Sequence, residues 1–239
     1  MVDLIVEMQN VSFIYPDGTV GVKNVTLNVL EKDKIALIGP SGSGKTTLIF
    51  LMAALIKPTS GNLKVFGIDV NNNKNFSKNI EKIRRKIGVV FQNPDDFLFN
   101  PTVRDELLYV PLQLNWKDDL VKSRFERVVK DFGVENILDK PPFRLSMGEK
   151  KKIAIASVMI YEPEFLLLDE PTANVDGKIR RFVLDLLKRD KTIVVATHDV
   201  ELVKKFAEKV IVLEKGEVVS IGGLELVEDL ELLERIGII

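Results

Sequence analysis

Cysteine is absent from all 239 residues, which excludes disulfides and thiolate metal sites and leaves the compartment open. Histidine is nearly absent, with one in the chain. An excess of either charge is also missing. Lys and Arg number 34 against 35 Asp and Glu, for a formal net charge of -1. No global field therefore draws the chain to nucleic acid or to an anionic membrane. The longest apolar run, Leu48 to Ile56, falls far short of a membrane span and stops at Lys57-Pro58. The first residues, Met1 to Glu7, carry acids and no basic stretch, so no secretory leader is expected. Any role at a membrane would pass through a partner. What remains is an ordinary globular composition, 46% hydrophobic and 29% charged. The length suits one large domain or a domain with an inserted lobe.

Short, partly alternating segments at Leu4–Met8, Val11–Tyr15 and Val25–Val29 read as strands of a β-rich start, here expected to form an antiparallel subdomain. Lys34–Ile38, Leu63–Phe66 and Ile87–Phe91 also read as strands, and the Asn-rich stretch Asn71–Asn79 as a surface loop. The pattern then turns helical over Thr102–Leu114, Leu120–Phe132 and Ser146–Ile160. Thr102 is placed to cap the first of these, with Asp105 and Glu106 in its opening turn. From Phe165 onward strands and helices alternate, which implies a mainly parallel sheet with helices on its faces. The expectation is an α/β core at 1–94 and 161–222, a helical lobe at 95–160 and a tail at 223–239, all within a single domain. Leu226, Leu230 and Leu233 share a helical face in that tail, suited to packing on the core or to a dimer contact.

The strand reading at Lys34–Ile38 runs into Gly39-Pro40-Ser41-Gly42-Ser43-Gly44-Lys45-Thr46, and a buried helix, Thr46–Leu55, follows. This is a full match to the phosphate-cradling pattern G-x-x-x-x-G-K-[ST], in the strand–turn–helix context that it needs. Backbone N–H groups and the positive helix end converge there on an anion. Lys45 is expected to reach the β- and γ-phosphates and the Thr46 hydroxyl to hold Mg²⁺.

Phosphate chemistry also needs a metal ligand and a group that orients water. The apolar strand Phe165–Leu168 ends in Asp169-Glu170, on the side of an open sheet where ligands bind. Asp169 is the expected metal ligand and Glu170 the residue that polarises water. The strand Thr192–Ala196 ends in Thr197-His198, so the single histidine falls on the same side, placed to sense the γ-phosphate. Gln92 closes the strand Ile87–Phe91 and either completes the metal or water shell or is a surface amide before a turn. Ser146 and Glu149 form a capping-box pattern. The same helix start, through Ser146 and the Gly148 N–H, could grip a phosphate on a facing molecule.

Taken together, these motifs resemble the ATP-binding cassette ATPases over nearly the whole chain, roughly residues 3–222. The resemblance implies a P-loop NTPase core that binds ATP with Mg²⁺. It maps Gly39 to Thr47, including Thr47, onto the Walker A loop, and Asp169 and Glu170 onto Walker B. Gln92 falls on the glutamine loop and His198 on the histidine switch. Leu145 to Glu149, with Ser146, Gly148 and Glu149, match the signature motif, and Asp176 the aspartate loop. Tyr15 falls where the family places an aromatic under adenine, though it would serve equally as a packing residue of a turn. The family implies a pair of cassettes, each closing its signature motif over the other's nucleotide.

A narrower likeness, at Phe91 to Val103, points to the ATPases of energy-coupling-factor importers, which sit on the cytoplasmic face of the membrane against a transmembrane subunit. Phe97, Leu98 and Phe99 are read there as a groove for an amphipathic helix, or else as filling between lobes. Met147 departs from the family's usual glycine, and Glu149 from the commoner glutamine. The tail is shorter than in many of that group. Three functions follow: a transport ATPase, a slow regulatory cassette in a heterodimer, or a cassette of DNA repair or translation. The last lacks coiled-coil arms and positive charge.

Overall fold

A computed structural model describes residues 3–238; Met1, Val2 and Ile239, at the limits of the expected single domain, lie outside them. Two sheets organise the chain. The first is antiparallel and begins with β1 (Leu4–Ile14) and β2 (Val20–Leu30). β1 joins what reads in sequence as two strands. Asn10 adopts φ 52° at the join, and the register with β2 shifts between Met8 and Val11, so a bulge turns the strand without ending it.

The chain then enters the second sheet at β3 (Lys34–Ile38) and leaves it through α1 (Lys45–Met52). β4 (Ser60–Val65) and β5 (Ile68–Asp69) return to the first sheet, whose order is β2-β1-β4-β5. Next comes α2 (Asn73–Lys86), which overturns the expected loop at Asn71–Asn79 for all but its first two residues. Asparagine favours turns, but Phe76 and Ile83 are buried and Ile80 packs beside them, so one apolar stripe prevails over local preference.

β6 (Ile87–Val90) is followed by α3 (Val103–Gln113), α4 (Asp118–Phe132) and α5 (Met147–Met159). Thr102 caps α3 as expected, accepting from the Asp105 N–H. The rest alternates: β7 (Phe165–Asp169), α6 (Gly177–Leu187), β8 (Thr192–Ala196), α7 (Val200–Phe206), β9 (Lys209–Glu214) and β10 (Glu217–Gly222). The second sheet has the order β10-β9-β3-β8-β7-β6, parallel except for the β9–β10 hairpin.

Its central strands are apolar along their middle positions, with Lys34, Thr192 and Asp169 only at strand ends, because both faces are covered. Leu166, Leu168, Ile193 and Val195 face a core shared with α5, α6 and α7. Phe165, Leu167, Val194 and Ala196 face the core shared with α1 and the antiparallel sheet.

The chain closes with α8 (Leu230–Arg235). Val227, Leu232, Leu233 and Ile236 are buried in the main core, and Leu226 packs against it. Leu230 is 64% exposed, so the expected stripe of Leu226, Leu230 and Leu233 loses its middle member. The short helix turns Leu232 and Ile236 inward instead.

Candidate functional site

The turn between β3 and α1 is shaped by its neighbours. A Cβ on Gly39 would lie 2.1 Å from the Leu213 carbonyl oxygen, and one on Gly44 would lie 2.4 Å from that of Gly21. Both residues also have positive φ, 153° and 102°, so glycine is required there twice over. The β9–β10 turn presses on the same loop, with the Gly216 N–H donating to the Ser43 carbonyl at 3.0 Å. Gly44 is the N-cap of α1 and offers no side-chain acceptor, so the first amides of the helix keep their donors for an anion. The Ser43 hydroxyl is buried without a hydrogen-bond partner. Pro40, Ser41 and Gly42 complete the rim.

Lys45 folds back over this loop, donating to the carbonyls of Gly39 (2.7 Å) and Pro40 (2.9 Å). Burial pulls its ammonium below the usual lysine range, while Glu170 and Asp169 pull the other way. Thr47 bonds Tyr15, hydroxyl to hydroxyl, at 2.9 Å. Tyr15 stands edge-on to Phe13 and lines the mouth of the loop.

Parallel pairing of β7 with β8 brings the expected carboxylates and the histidine together. Asp169 aligns with Ala196, and the Glu170 N–H donates to the Ala196 carbonyl at 2.8 Å. The Thr46 hydroxyl donates to Asp169 at 2.6 Å. Asp169 is 3% exposed, and burial raises its carboxyl above the ordinary range, with the Thr46 bond opposing.

Glu170 sits at φ 45°, left-handed and strained for a non-glycine residue. Its carboxylate accepts from the Thr197 hydroxyl (3.2 Å) and the His198 N–H (3.2 Å), and lies 2.7 Å from His198 Nδ1. Gln92, Thr46 and Asp169 line one cleft of about 550 Å³, together with Met147 and Lys151.

Ser146, Gly148, Glu149 and Asp176 do not reach the phosphate loop. They line a separate cleft of about 590 Å³ in which neither Lys45 nor Glu170 takes part. Ser146 and Glu149 form the reciprocal capping box, and the bonds from the Ser146 N–H and hydroxyl hold the Glu149 carboxyl below its usual range. Asp176 caps α6 through the Lys178 and Ile179 N–H groups. Gly148 packs so closely on α6 that a Cβ would meet Ile179 at 2.9 Å. Met147, 38% exposed, borders both clefts.

The expected groove of Phe97, Leu98 and Phe99 is only partly present. Leu98 is buried and Phe97 stacks edge-on against Phe91, so these two fill the interior. Phe99 alone is outward, 65% exposed, and stacks on exposed Tyr109 at 5.0 Å. Buried Glu106 holds this loop, accepting from the N–H groups of Phe99 and Asn100.

Sequence reasoning missed three participants. Lys151 is buried and donates to the Glu170 carbonyl. Its signal was present: a lysine at helical spacing with Ile155 and Val158 on an otherwise apolar face. Thr197 was seen only as a neighbour of His198. Asp199 caps α7, pairs with Arg180 at 2.8 Å and accepts from Thr172 at 3.2 Å, tying α6 to the strand end; no local pattern announces it.

Residues 22–173 match the family described as ABC transporter. A putative ABC transporter ATP-binding protein of Archaeoglobus fulgidus is 52% identical over 98% of this chain and 98% of its own length. The energy-coupling factor transporter ATP-binding protein EcfA of Methanothermobacter thermautotrophicus is 38% identical over 96% of this chain and 75% of its own. Among solved structures, a dimeric post-hydrolysis state of an ATP-binding cassette bound to ADP and Pi superposes with a TM-score of 0.81. It is 32% identical and covers 92% of this chain and 99% of that one.

Proposed function

The chain belongs to the ABC transporter family as an ATPase subunit, and from that premise we propose that it binds Mg·ATP at the loop around Lys45 and hydrolyses it to drive transport through a membrane partner. One observation carries this reading: a buried carboxylate bonded to Thr46 and a second carboxylate held against His198 stand side by side at the end of β7, with His198 at the neighbouring end of β8. The residues present fit the ligand. Gly42 has open space where a Cβ would stand, the Ser43 hydroxyl has no partner, and the start of α1 has no side-chain cap. Thr46, Asp169 and Gln92 would hold Mg²⁺, which supplies charge to neutralise the phosphate oxygens.

In this reading Lys45 exchanges the Gly39 and Pro40 carbonyls for phosphate oxygens. Glu170 orients water towards the γ-phosphorus and takes its proton. The bond from the γ-phosphorus to the bridging oxygen breaks, and its electron pair leaves with ADP. His198 keeps the Glu170 carboxylate aimed, with Thr197 as its second anchor. The Ser146–Glu149 cleft lies away from the chain's own loop, which supports a second cassette whose nucleotide it would close over.

No helix among the described residues is long and apolar enough to cross a membrane. The Phe99–Tyr109 pair, with Leu112 one turn on, supports docking of a transmembrane subunit at the cytoplasmic face. Residues 95–160 would then form the lobe that relays the closure. The likeness to EcfA favours an energy-coupling-factor importer. Met147 supports a second reading, a slow cassette that needs a partner with an unobstructed signature. Met147→Gly would raise turnover several-fold under that reading, and unchanged turnover and dimerisation would reject it.

The central test uses the purified chain. Glu170→Gln should bind ATP with wild-type affinity, lose turnover by about 100-fold or more and accumulate dimer. Full hydrolysis by that variant would remove Glu170 from the role.

A further inference from the structure

We propose that Lys151 is a positioning residue that fixes the main chain of Glu170 and so aims its carboxylate. The inference rests on reading Glu170 as the group that activates water. Glu170 is held in a left-handed conformation that ordinary residues avoid, φ 45°, and needs restraint on both sides. On the amino side its N–H is bonded to the Ala196 carbonyl of β8 at 2.8 Å. On the carboxyl side its carbonyl accepts two donors, the Lys151 Nζ at 2.5 Å and the Ala173 N–H at 3.2 Å. With both peptide groups pinned, the side chain projects towards Thr197 and His198, where it is found.

Lys151 is an expensive way to make that bond. It is 2% exposed, and burial pulls its ammonium below the usual range while Glu170 and Asp169 favour the charge. An apolar side chain would pack α5 as well at lower cost. The ammonium therefore answers to the carbonyl and the carboxylates rather than to the stability of the helix. Its place also matters. Lys151 lies little more than one helical turn beyond Ser146, whose cleft is lined by no residue of the chain's own phosphate loop. A shift of the α5 N-terminus would thus reach the reacting carboxylate through one side chain.

Lys151→Met, of similar shape but without the donor, tests this in the full chain beside Lys151→Arg. The first readout is independent of activity: amide exchange at Ala173 in nucleotide-free protein, followed by NMR. Loss of the shared carbonyl anchor should speed it about tenfold in Lys151→Met. ADP affinity should stay within about threefold of wild type, and Tm should shift by less than about 4 °C, since relief of the buried ammonium is offset by loss of its attraction to Glu170 and Asp169. For turnover, kcat should drop by about 100-fold with KM little changed, as for a misplaced catalytic group, and Lys151→Arg should recover part of it.

Unchanged exchange at Ala173 would overturn the proposal whatever the kinetics show. A parallel loss of Tm, ADP affinity and kcat in Lys151→Met would overturn it too, because that marks a general packing role. If the wild-type chain itself hydrolyses no ATP, the hydrolase reading fails, and the exchange result still decides whether Lys151 anchors Glu170.

Discussion

Replacing Asp169 by Asn should make the protein more stable while removing the carboxylate proposed to hold Mg²⁺. Asp169 is 3% exposed, stands beside Glu170 and receives one bond, from the Thr46 hydroxyl. Burial is the largest influence on its carboxyl and raises its pKa, with Glu170 adding to the rise and Thr46, Lys45 and Lys151 opposing it. The fold therefore prefers the neutral group. Asn keeps the shape and an acceptor for Thr46, and its amide can reach the cleft that Asp169 lines. Relief of a strained charge of this kind is worth about 1–2 kcal/mol, or about 2–8 °C in Tm for a chain of this size.

The sign with pH follows from the raised value. The ionised carboxylate costs stability above its folded-state pKa, and that cost vanishes as pH falls through it and the wild type takes up a proton. The advantage of Asp169→Asn should thus be full in alkaline solution and shrink as the solution is acidified towards the ordinary carboxylate range. Thermal melts in EDTA without nucleotide measure this directly. Added to ADP, Mg²⁺ should then raise the wild-type Tm further than it raises that of the variant. A variant that melts below wild type at pH 8, or a gap that does not narrow in acid, would refute the reasoning.

Three further outcomes are expected. Lys45→Ala should weaken ATP binding by about 100-fold in equilibrium titration, because a charge-assisted contact to phosphate is lost; unchanged affinity would contradict the loop assignment. Gly44→Ala should cost about 2 kcal/mol from a strained φ and a Cβ 2.4 Å from the Gly21 carbonyl oxygen, visible as a Tm lower by about 4–8 °C. Glu106→Ala strands the N–H groups of Phe99 and Asn100, so it should cost about 1–3 kcal/mol by denaturant titration. It should also reduce co-purification with a membrane subunit, and retained co-purification would detach the Phe99 loop from docking.

Local sequence alone determined the phosphate loop, the paired acids after an apolar strand and the capping box. Each rests on neighbours within a few residues: glycine at Gly39 and Gly44, a charge at the end of a run, Ser146 reaching Glu149. The alternation of apolar segments likewise announced a parallel sheet with helices on its faces. Tertiary structure decided everything that joins distant parts. Whether Asn71–Asn79 was loop or helix depended on what Phe76 and Ile83 could bury against. Whether Phe97, Leu98 and Phe99 faced in or out depended on Phe91 and Glu106. Strand order set His198 against Glu170, and α5 brought Lys151 to the same carbonyl. Periodicity carries information along the chain, whereas the distance between two strand ends or between a helix and a strand is set only when the sheet closes and the core fills.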